Sequence, residues 1–352
     1  VFYFCFTVDK RRVKCGKERM TTGTWPTNRR DAEYGKDMTA KNILVMGGAH
    51  IDRRGRISGT TAPGSSNPGS WFVEAGGGGF NAARNLARLG HAVRLISPRG
   101  GDSDGALVAD AARAAGVEDS PFTFLDRSTP SYTAIIERDG NLVVALADME
   151  LYRLFSPRRL QQRAVREAMA AADLLVTDAN LPAETLTAIA ATAARDGKPV
   201  AGIAISPAKV PRFRDALGHL AFLFMNEAEA RALTEEQPAN AADWPLLLRR
   251  TGLKAGVVTR GKDETVAFDA HSSALLKPPT VDVIGDVTGA GDALASGFLV
   301  AWLSGKPLGE SLRHGAAAAV VTVRSPLAVA ENMSAATLGQ SLDLVSEAKI
   351  LS

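Results

Sequence analysis

The octapeptide Gly285-Asp286-Val287-Thr288-Gly289-Ala290-Gly291-Asp292 runs straight into the apolar stretch 293–299. It reads as a small-residue turn that opens a helix, with a carboxylate in the first turn. A helix N-terminus carries unpaired N–H groups and a partial positive charge, which makes it a natural seat for phosphate. Glycine and alanine let a phosphoryl group approach the backbone. A carboxylate beside that seat is repelled by the phosphate it faces, so a bystander Asp is a poor choice there. An Asp that takes the proton of an attacking hydroxyl accounts for both features, and the chemistry implied is phosphoryl transfer from a nucleotide to an alcohol. The competing use of the same residues is a plain helix cap.

A second cluster, Gly76-Gly77-Gly78-Gly79-Phe80-Asn81, precedes an amphipathic stretch closed by Gly90. Four glycines before a helix suggest backbone that must come close to a ligand, with Asn81 offering a donor and an acceptor at the helix start. Gly runs also serve as ordinary turns. Upstream, 42–48 reads as a buried strand ending in Gly, and Asp52 follows shortly after, where α/β proteins place ligand-binding groups.

Together these three segments resemble the ribokinase-like (phosphofructokinase B) family of carbohydrate and nucleoside kinases, and the resemblance spans residues 41–330. Within it the chain is most similar to the pseudouridine-phosphorylating branch, through Asn67-Pro68-Gly69, Ser131-Tyr132, Asp148-Met149, Asp178-Ala179-Asn180 and the Val287-Thr288 form of the signature. The resemblance implies an α/β fold with a mostly parallel central sheet flanked by helices and a small β-sheet lid. It implies ATP and Mg²⁺, a nucleoside or sugar acceptor whose 5′-hydroxyl is phosphorylated, and a homodimer through the lid.

It also implies roles. Asp292 is the general base, and the N–H groups of Gly289, Ala290 and Gly291 hold the transferring phosphoryl oxygens. Asp52 and Asn81 bind the ribose hydroxyls, with Gly77 and Gly79 letting backbone press on the sugar. Ser131, Tyr132, Asp148 and Asn180 are candidates for contacts near the nucleobase, against the alternative of ordinary lid and core packing. Asn226 and Glu229 match an Asn-x-x-Glu element that organises Mg²⁺ and phosphates, commonly through water. Thr259, Arg260 and Gly261 match a nucleotide-contacting turn. Two departures stand out: 203–205 is Ile-Ala-Ile where relatives usually carry an Asp, and Val287 replaces a hydroxyl residue, so no potassium dependence is expected.

The elements that must position these residues alternate along the chain. Strands are expected at 43–46, 92–97, 174–177, 200–205, 222–225 and 256–259, and helices at 106–115, 157–171, 183–196, 227–233 and 244–250, which points to a parallel sheet covered by helices. The domain is expected over 41–345. Two stretches interrupt the rhythm, 53–75 and 130–147, the latter reading as a hairpin turned at 139–141. Both suit a lid that excludes water.

With 45% apolar and 22% charged residues in 352, the chain reads as an ordinary globular protein, and its formal charge of +3 argues against a nucleic-acid partner. No apolar run reaches the ~20 residues a bilayer crossing needs. Cys5 and Cys15 lie in the N-terminal extension, so a cytoplasmic setting is expected. Residues 1–37, polar and basic after a short apolar start, are expected to be an upstream artefact or a disordered tail. Gly101-Asp102-Ser103-Asp104-Gly105 matches a nucleophile-elbow pattern but is separated from its strand by three residues. The five histidines show no metal-ligand spacing, and no Gly-x-x-x-x-Gly-Lys-[Ser/Thr] phosphate loop is present.

Overall fold

Strand 42–46 shows why the sheet is central: Ile43 and Val45 bury into one core cluster, Leu44 and Met46 into another on the opposite face. A strand apolar on both faces must be covered on both faces. In the computed structural model, which describes residues 39–351, this strand sits within a ten-stranded sheet. The extension over 1–37 lies outside the described residues.

The strand order is Lys349–Leu351, Ser273–Leu276, Asp263–Phe268, Gly256–Arg260, Phe222–Asn226, Val200–Ile203, Leu174–Asp178, Asn42–Met46, Ala92–Ile96 and Glu118–Asp119. From Gly256–Arg260 onward neighbours run parallel; the first three strands join by antiparallel pairings. One helical layer contains Gly78–Arg88, Ser103–Ala114, Ala290–Leu303, Leu308–Val323 and Ala335–Leu342, and the other contains Arg163–Ala171, Ala183–Arg195, Glu227–Thr234 and Trp244–Arg250. The strands expected from sequence occupy the middle of the sheet. The expected helix over 157–171 is divided: Pro157–Gln161 is a 3₁₀ turn, and Gln162 is extended before Arg163–Ala171. The antiparallel strands after residue 262 and the helices after 307 were not among the expected elements.

Helix Ala290–Leu303 is seated firmly. Phe298 meets Phe222 and Phe224 edge-on at 4.9 and 5.4 Å between ring centroids, contacts worth roughly 0.5–1.5 kcal/mol each beyond burial. Helix Leu308–Val323 packs directly against it, because Gly297 and Gly315 admit backbone: a Cβ at either would lie within 2.8 Å of the partner helix's carbonyl oxygen. The alanine-rich sequence of the second helix serves that close approach. The N-terminus of Ala290–Leu303 is thereby fixed above the sheet.

The segments expected to form a lid do assemble into a separate four-stranded sheet, ordered Gly69–Gly76, His50–Ile57, Ser131–Ile136, Leu142–Asp148. Asp52 pairs with Glu74 on one side and Tyr132 on the other, so these three share a face. Trp71, Val73, Val144 and Leu146 occupy the other face and are exposed, Leu146 by 72%.

Candidate active site

All parallel strands point their C-terminal ends at one crevice, where ligands bind in open α/β sheets. Above it the loop 285–289 turns into helix Ala290–Leu303. Gly289 is the N-cap with φ +77°, and a Cβ there would lie 2.0 Å from the Ala328 carbonyl oxygen, so only glycine fits. Asp292, three residues on, is 2% exposed. Its Oδ2 accepts from Asn81 Nδ2 at 2.8 Å, while Oδ1 is buried without a hydrogen-bond partner. Burial pushes this carboxyl up to about 7, with the Asn81 bond and the Arg84 charge opposing and the Asp178 and Asp52 charges adding to the rise. A buried carboxylate with one empty oxygen at a helix N-terminus is equipped to accept a proton from a neighbouring hydroxyl.

Asn81 is itself oriented. Its Oδ1 accepts from Arg84 Nη2 at 2.7 Å, which leaves the amide nitrogen facing Asp292. Arg84 also donates to the Ala75 carbonyl and stacks over Phe80. Burial lowers its pKa to about 10, so it stays charged. Each end of the Asn81 amide thus has one protein partner, and its second N–H and second oxygen lone pair remain for other contacts.

The four glycines are crowded by protein. A Cβ at Gly76 would meet Asp52 Oδ2 at 2.1 Å; at Gly77 the Gly48 carbonyl oxygen at 2.4 Å; at Gly78 Ile205 Cδ1 at 2.2 Å; at Gly79 Asp178 Oδ2 at 3.0 Å. Gly77 and Gly79, read as surfaces for the sugar, therefore turn their side-chain direction toward protein. The run lets three carboxylates and a hydrophobic tip converge on one helix start.

Asp178 was not singled out as a site residue, yet it ties the crevice floor together. Its Oδ2 accepts from Gly48 N, Gly79 N and Asn180 Nδ2 at 2.7–3.0 Å, and Oδ1 from Asn180 N at 2.9 Å. Asn180 spends its amide on Asp178 and on Lys209 Nζ, whose bond to Oδ1 is 2.7 Å. Strand 200–203 stops two residues earlier than expected because Ile205 has φ +70° and Ser206 N bonds back to Ala204 O, a γ-turn. A β-branched residue there is strained, and its tip lies against Gly78 beside Asp292.

On the lid side, Asp52 keeps its side chain 24% exposed and lies 3.2 Å from His50 Nε2; His50 Nδ1 lies 2.9 Å from the Tyr152 hydroxyl. Tyr132 shares the face of Asp52, whereas Ser131 and Asp148 pair with each other on the opposite face. The structure thus brings Tyr132, but not Ser131 or Asp148, beside Asp52. Arg54 reaches from the same lid strand to Asp286 in the loop, with Glu74 3.5 Å away and Phe72 beneath the guanidinium. Burial would raise the Asp286 carboxyl, but bonds from Thr288 N–H and hydroxyl and from Arg54 together hold it below its ordinary value.

On the other side, Asn226 and Glu229 form a reciprocal capping box, Asn226 Oδ1 accepting from Glu229 N and Glu229 Oε2 from Asn226 N. Glu229 is 0% exposed, its Oε1 has no partner, and burial raises it to about 7. Thr259 and Gly291 line one small gap beneath the loop. Arg260 pairs with Glu227, and Gly261 turns the chain at φ +64°. Among the described residues no group of three or more His, Cys, Asp or Glu could hold a metal ion. The residues present fit Mg²⁺ held mainly by water and phosphate oxygens, with Glu229 Oε1 as an unpaired acceptor behind them.

Asp292 and the Gly-Ala-Gly seat were legible from sequence. Arg84, Asp178, His50, Tyr152, Ile205 and Arg54 were not given roles. Asp178, His50, Tyr152 and Arg54 act through partners distant in the chain, Ile205 through backbone strain, and Arg84 through a convergence on Asn81 and Ala75 that only the folded backbone shows.

The sequence matches the pfkB family of carbohydrate kinases over residues 40–335. It is 30% identical over 278 residues to a pseudouridine kinase of Escherichia coli, covering 77% of this chain and 87% of that one. It is 28% identical to a ribokinase of Bacillus subtilis over 291 residues, 81% and 94% of the two chains. Among solved structures it resembles a carbohydrate kinase from Agrobacterium tumefaciens, with 61% identity, TM-score 0.81, and 88% and 100% coverage. A ribokinase of Arabidopsis thaliana complexed with ribose and ATP shares the fold at TM-score 0.77 and 22% identity, over 86% and 99%. A match across most of the chain, on the fold and crevice described, makes this protein an ATP-dependent kinase of a sugar or nucleoside hydroxyl, and the chain belongs to the pfkB family of carbohydrate kinases.

Proposed function

We propose that this kinase transfers the γ-phosphoryl group of ATP to the 5′-hydroxyl of pseudouridine, with Asp292 as general base. The observation that carries the mechanism is the unpartnered, buried Oδ1 of Asp292 at the start of helix Ala290–Leu303. The acceptor hydroxyl gives its proton to Oδ1 as its oxygen bonds to the γ-phosphorus; the bond to the bridging oxygen breaks and its electron pair leaves with ADP. Asn81, held by Arg84, keeps Oδ2 occupied so that Oδ1 faces the substrate. The N–H groups of Gly289 and Gly291 offer donors to the phosphoryl oxygens, that of Ala290 being shared with the Val287 carbonyl at 3.3 Å. Such preorganised donors supply the larger share of catalysis in this chemistry. Asp52, accessible on the lid, accepts from the ribose diol, and the lid itself excludes water.

Thr259, Arg260 and Gly261 lie at the nucleotide end of the crevice in this reading, with Asn226 and Glu229 near the phosphates. Glu229 is the residue to hold Mg²⁺, through water; when bound, the ion neutralises phosphate charge. The exposed apolar face carrying Trp71, Val73, Val144 and Leu146 fits a second copy of the lid, so a homodimer belongs to the same proposal.

Pseudouridine is favoured over other acceptors by the 30% identity to a pseudouridine kinase. A second reading, in which another nucleoside or ribose is the acceptor, is favoured by the range of relatives, which includes ribokinases and a guanosine-inosine kinase. The deciding measurement is Mg²⁺- and ATP-dependent ADP release with pseudouridine, uridine, adenosine, ribose and fructose. Preference for pseudouridine supports the first reading; preference for another acceptor replaces the substrate and leaves the Asp292 mechanism standing.

A further inference from the structure

Asp52 ends a chain of polar contacts, one hydrogen bond and one close imidazole–carboxylate pair, whose inner members no substrate can touch. Tyr152 is 1% exposed and His50 8%, so whatever they do for the reaction they do through Asp52. We propose that Tyr152 and His50 are positioning residues that fix the Asp52 carboxylate for a vicinal diol of the acceptor. This rests on the reading of Asp52 as the diol receptor.

The protons can be followed along the chain. Burial raises the Tyr152 phenol well above its ordinary value, so it keeps its own proton to give. The acceptor 2.9 Å away is His50 Nδ1. A neutral imidazole accepting at Nδ1 carries its proton on Nε2, and Nε2 lies 3.2 Å from Asp52 Oδ1. Each donor is used once and each acceptor is met. In the reverse tautomer the Nε2 lone pair would face a carboxylate oxygen, and the phenol proton would have to point away from the ring. The order Tyr152, His50, Asp52 therefore runs one way, from the buried interior to the substrate side.

The surrounding backbone is shaped to admit this chain. A Cβ at Gly76 would overlap Asp52 Oδ2, and one at Gly77 would lie 3.1 Å from His50 Nδ1. Tyr152 is carried by the 3₁₀ turn Glu150–Leu154, which follows the last lid strand. Strand His50–Ile57, which carries the receptor carboxylate, is thus pinned at its start to the main body while its far end belongs to the lid. Orientation of a binding group lowers the ordering cost of substrate association and should appear in KM more than in kcat.

The test compares acceptors differing by one hydroxyl: pseudouridine against 2′-deoxypseudouridine, with ribose against 2-deoxyribose in parallel. Tyr152→Phe keeps the buried ring and removes only the hydroxyl. Its kcat/KM for the diol acceptor should fall about tenfold, mostly through KM, as for loss of one oriented hydrogen bond. KM for ATP should hold, and the loss on the deoxy acceptor should be much smaller, so the diol preference shrinks. Equal losses on both acceptors would mark Tyr152 as merely structural and overturn the proposal. Asp52→Asn, run alongside, separates the two levels of inference. If Asp52→Asn abolishes the diol preference while Tyr152→Phe leaves it intact, only the positioning proposal fails. If Asp52→Asn leaves the preference intact, the receptor reading fails and takes the proposal with it. Should Tyr152→Phe not fold, His50→Ala and His50→Gln decide: Ala loses the preference and Gln, which still offers an N–H, recovers part of it, whereas identical losses refute the relay.

Discussion

Two buried carboxylates stand at this crevice, close enough for the charge of one to raise the pKa of the other, and they are built in opposite ways. Asp178 receives four hydrogen bonds, three from backbone or side-chain donors at Oδ2 and one at Oδ1. Asp292 receives one, from Asn81, and keeps Oδ1 empty. A saturated carboxylate is a structural tie: it joins the turn after the first strand, the glycine-rich helix start and the end of strand Leu174–Asp178. An unsaturated one carries the cost of burial without full compensation, and the natural reason to retain it is a proton that arrives with the substrate. The degree of satisfaction, rather than burial or residue type, separates scaffold from chemistry here.

The largest effect expected from this contrast is on turnover. Asp292→Asn should lower kcat by roughly 10²–10⁴-fold, the usual value of a positioned base, while ATP binding by fluorescence or calorimetry stays near wild type and the variant remains folded. Retention of more than a tenth of kcat would remove Asp292 from the role of base. Asp178→Ala should do the converse. It orphans several buried donors, each costing about 1–3 kcal/mol, and urea denaturation should show a loss of at least about 3 kcal/mol. A variant as stable as wild type would erase the distinction between the two residues.

The contrast also has a pH signature, and its sign follows from the direction of the shift. The folded Asp292 carboxyl titrates at about 7, above the ordinary 3.8, so the folded state holds a proton that the unfolded state has released between those values. Its contribution to stability is therefore most favourable below about pH 4 and is lost as pH rises toward 7. Asp292→Asn lacks this loss, so its stability relative to wild type should increase as pH rises from about 4, by about 1.4 kcal/mol per pH unit, and level off above about 7. Glu229, also raised to about 7 by burial, titrates in the same window, and only the difference between the two proteins isolates Asp292. A difference flat with pH would mean the carboxyl is not shifted. In turnover, kcat/KM should fall as pH drops below about 7, because the base is then already protonated.

The sequence displayed one member of this pair and concealed the other. Asp292 was legible because its meaning is local: small residues, a helix start and a carboxylate lie within eight positions. The strands that carry the crevice were legible for the same reason, through runs apolar on both faces. Asp178 gave no such signal: Asn180 beside it supplies two of its donors, but the two that make it a tie come from Gly48 and Gly79, 130 and 99 residues away. Arg84 reads as one more polar position on an amphipathic helix until Asn81 and Ala75 are seen to converge on it. The stretch 203–205 showed in sequence only as a departure from the family resemblance; the γ-turn reveals that a strained hydrophobe, Ile205, walls the site there. The four glycines read in sequence as backbone open to a ligand, and what their side-chain directions meet is protein, carboxylates included, which a glycine run cannot specify.

The finest expected distinction lies in two adjacent glycines, one facing each carboxylate. At Gly79 a Cβ would press on Asp178 Oδ2 at 3.0 Å and on the Gly47 backbone at 3.1 Å, neither of which can yield readily. Gly79→Ala should therefore destabilise the fold by about 1–3 kcal/mol, the usual cost of overpacking, offset in part by the roughly 1 kcal/mol that Ala gains over Gly in a helix. At Gly78 the obstruction is Ile205 Cδ1, the far end of a flexible side chain, and the next atom is Asp292 Oδ1 at 3.4 Å. The Ile205 tip can turn aside, so Gly78→Ala should change stability by less than about 1 kcal/mol. Its methyl would, however, occupy the space beside the empty oxygen, where the substrate hydroxyl must sit. The expected result is a several-fold fall in kcat/KM from Gly78→Ala with little change in melting temperature. Adding Ile205→Ala should remove the remaining strain without restoring activity, because the methyl beside Oδ1 stays. If instead Gly78→Ala unfolds the protein and Gly79→Ala only slows it, the assignment of one carboxylate to the scaffold and the other to the reaction is reversed.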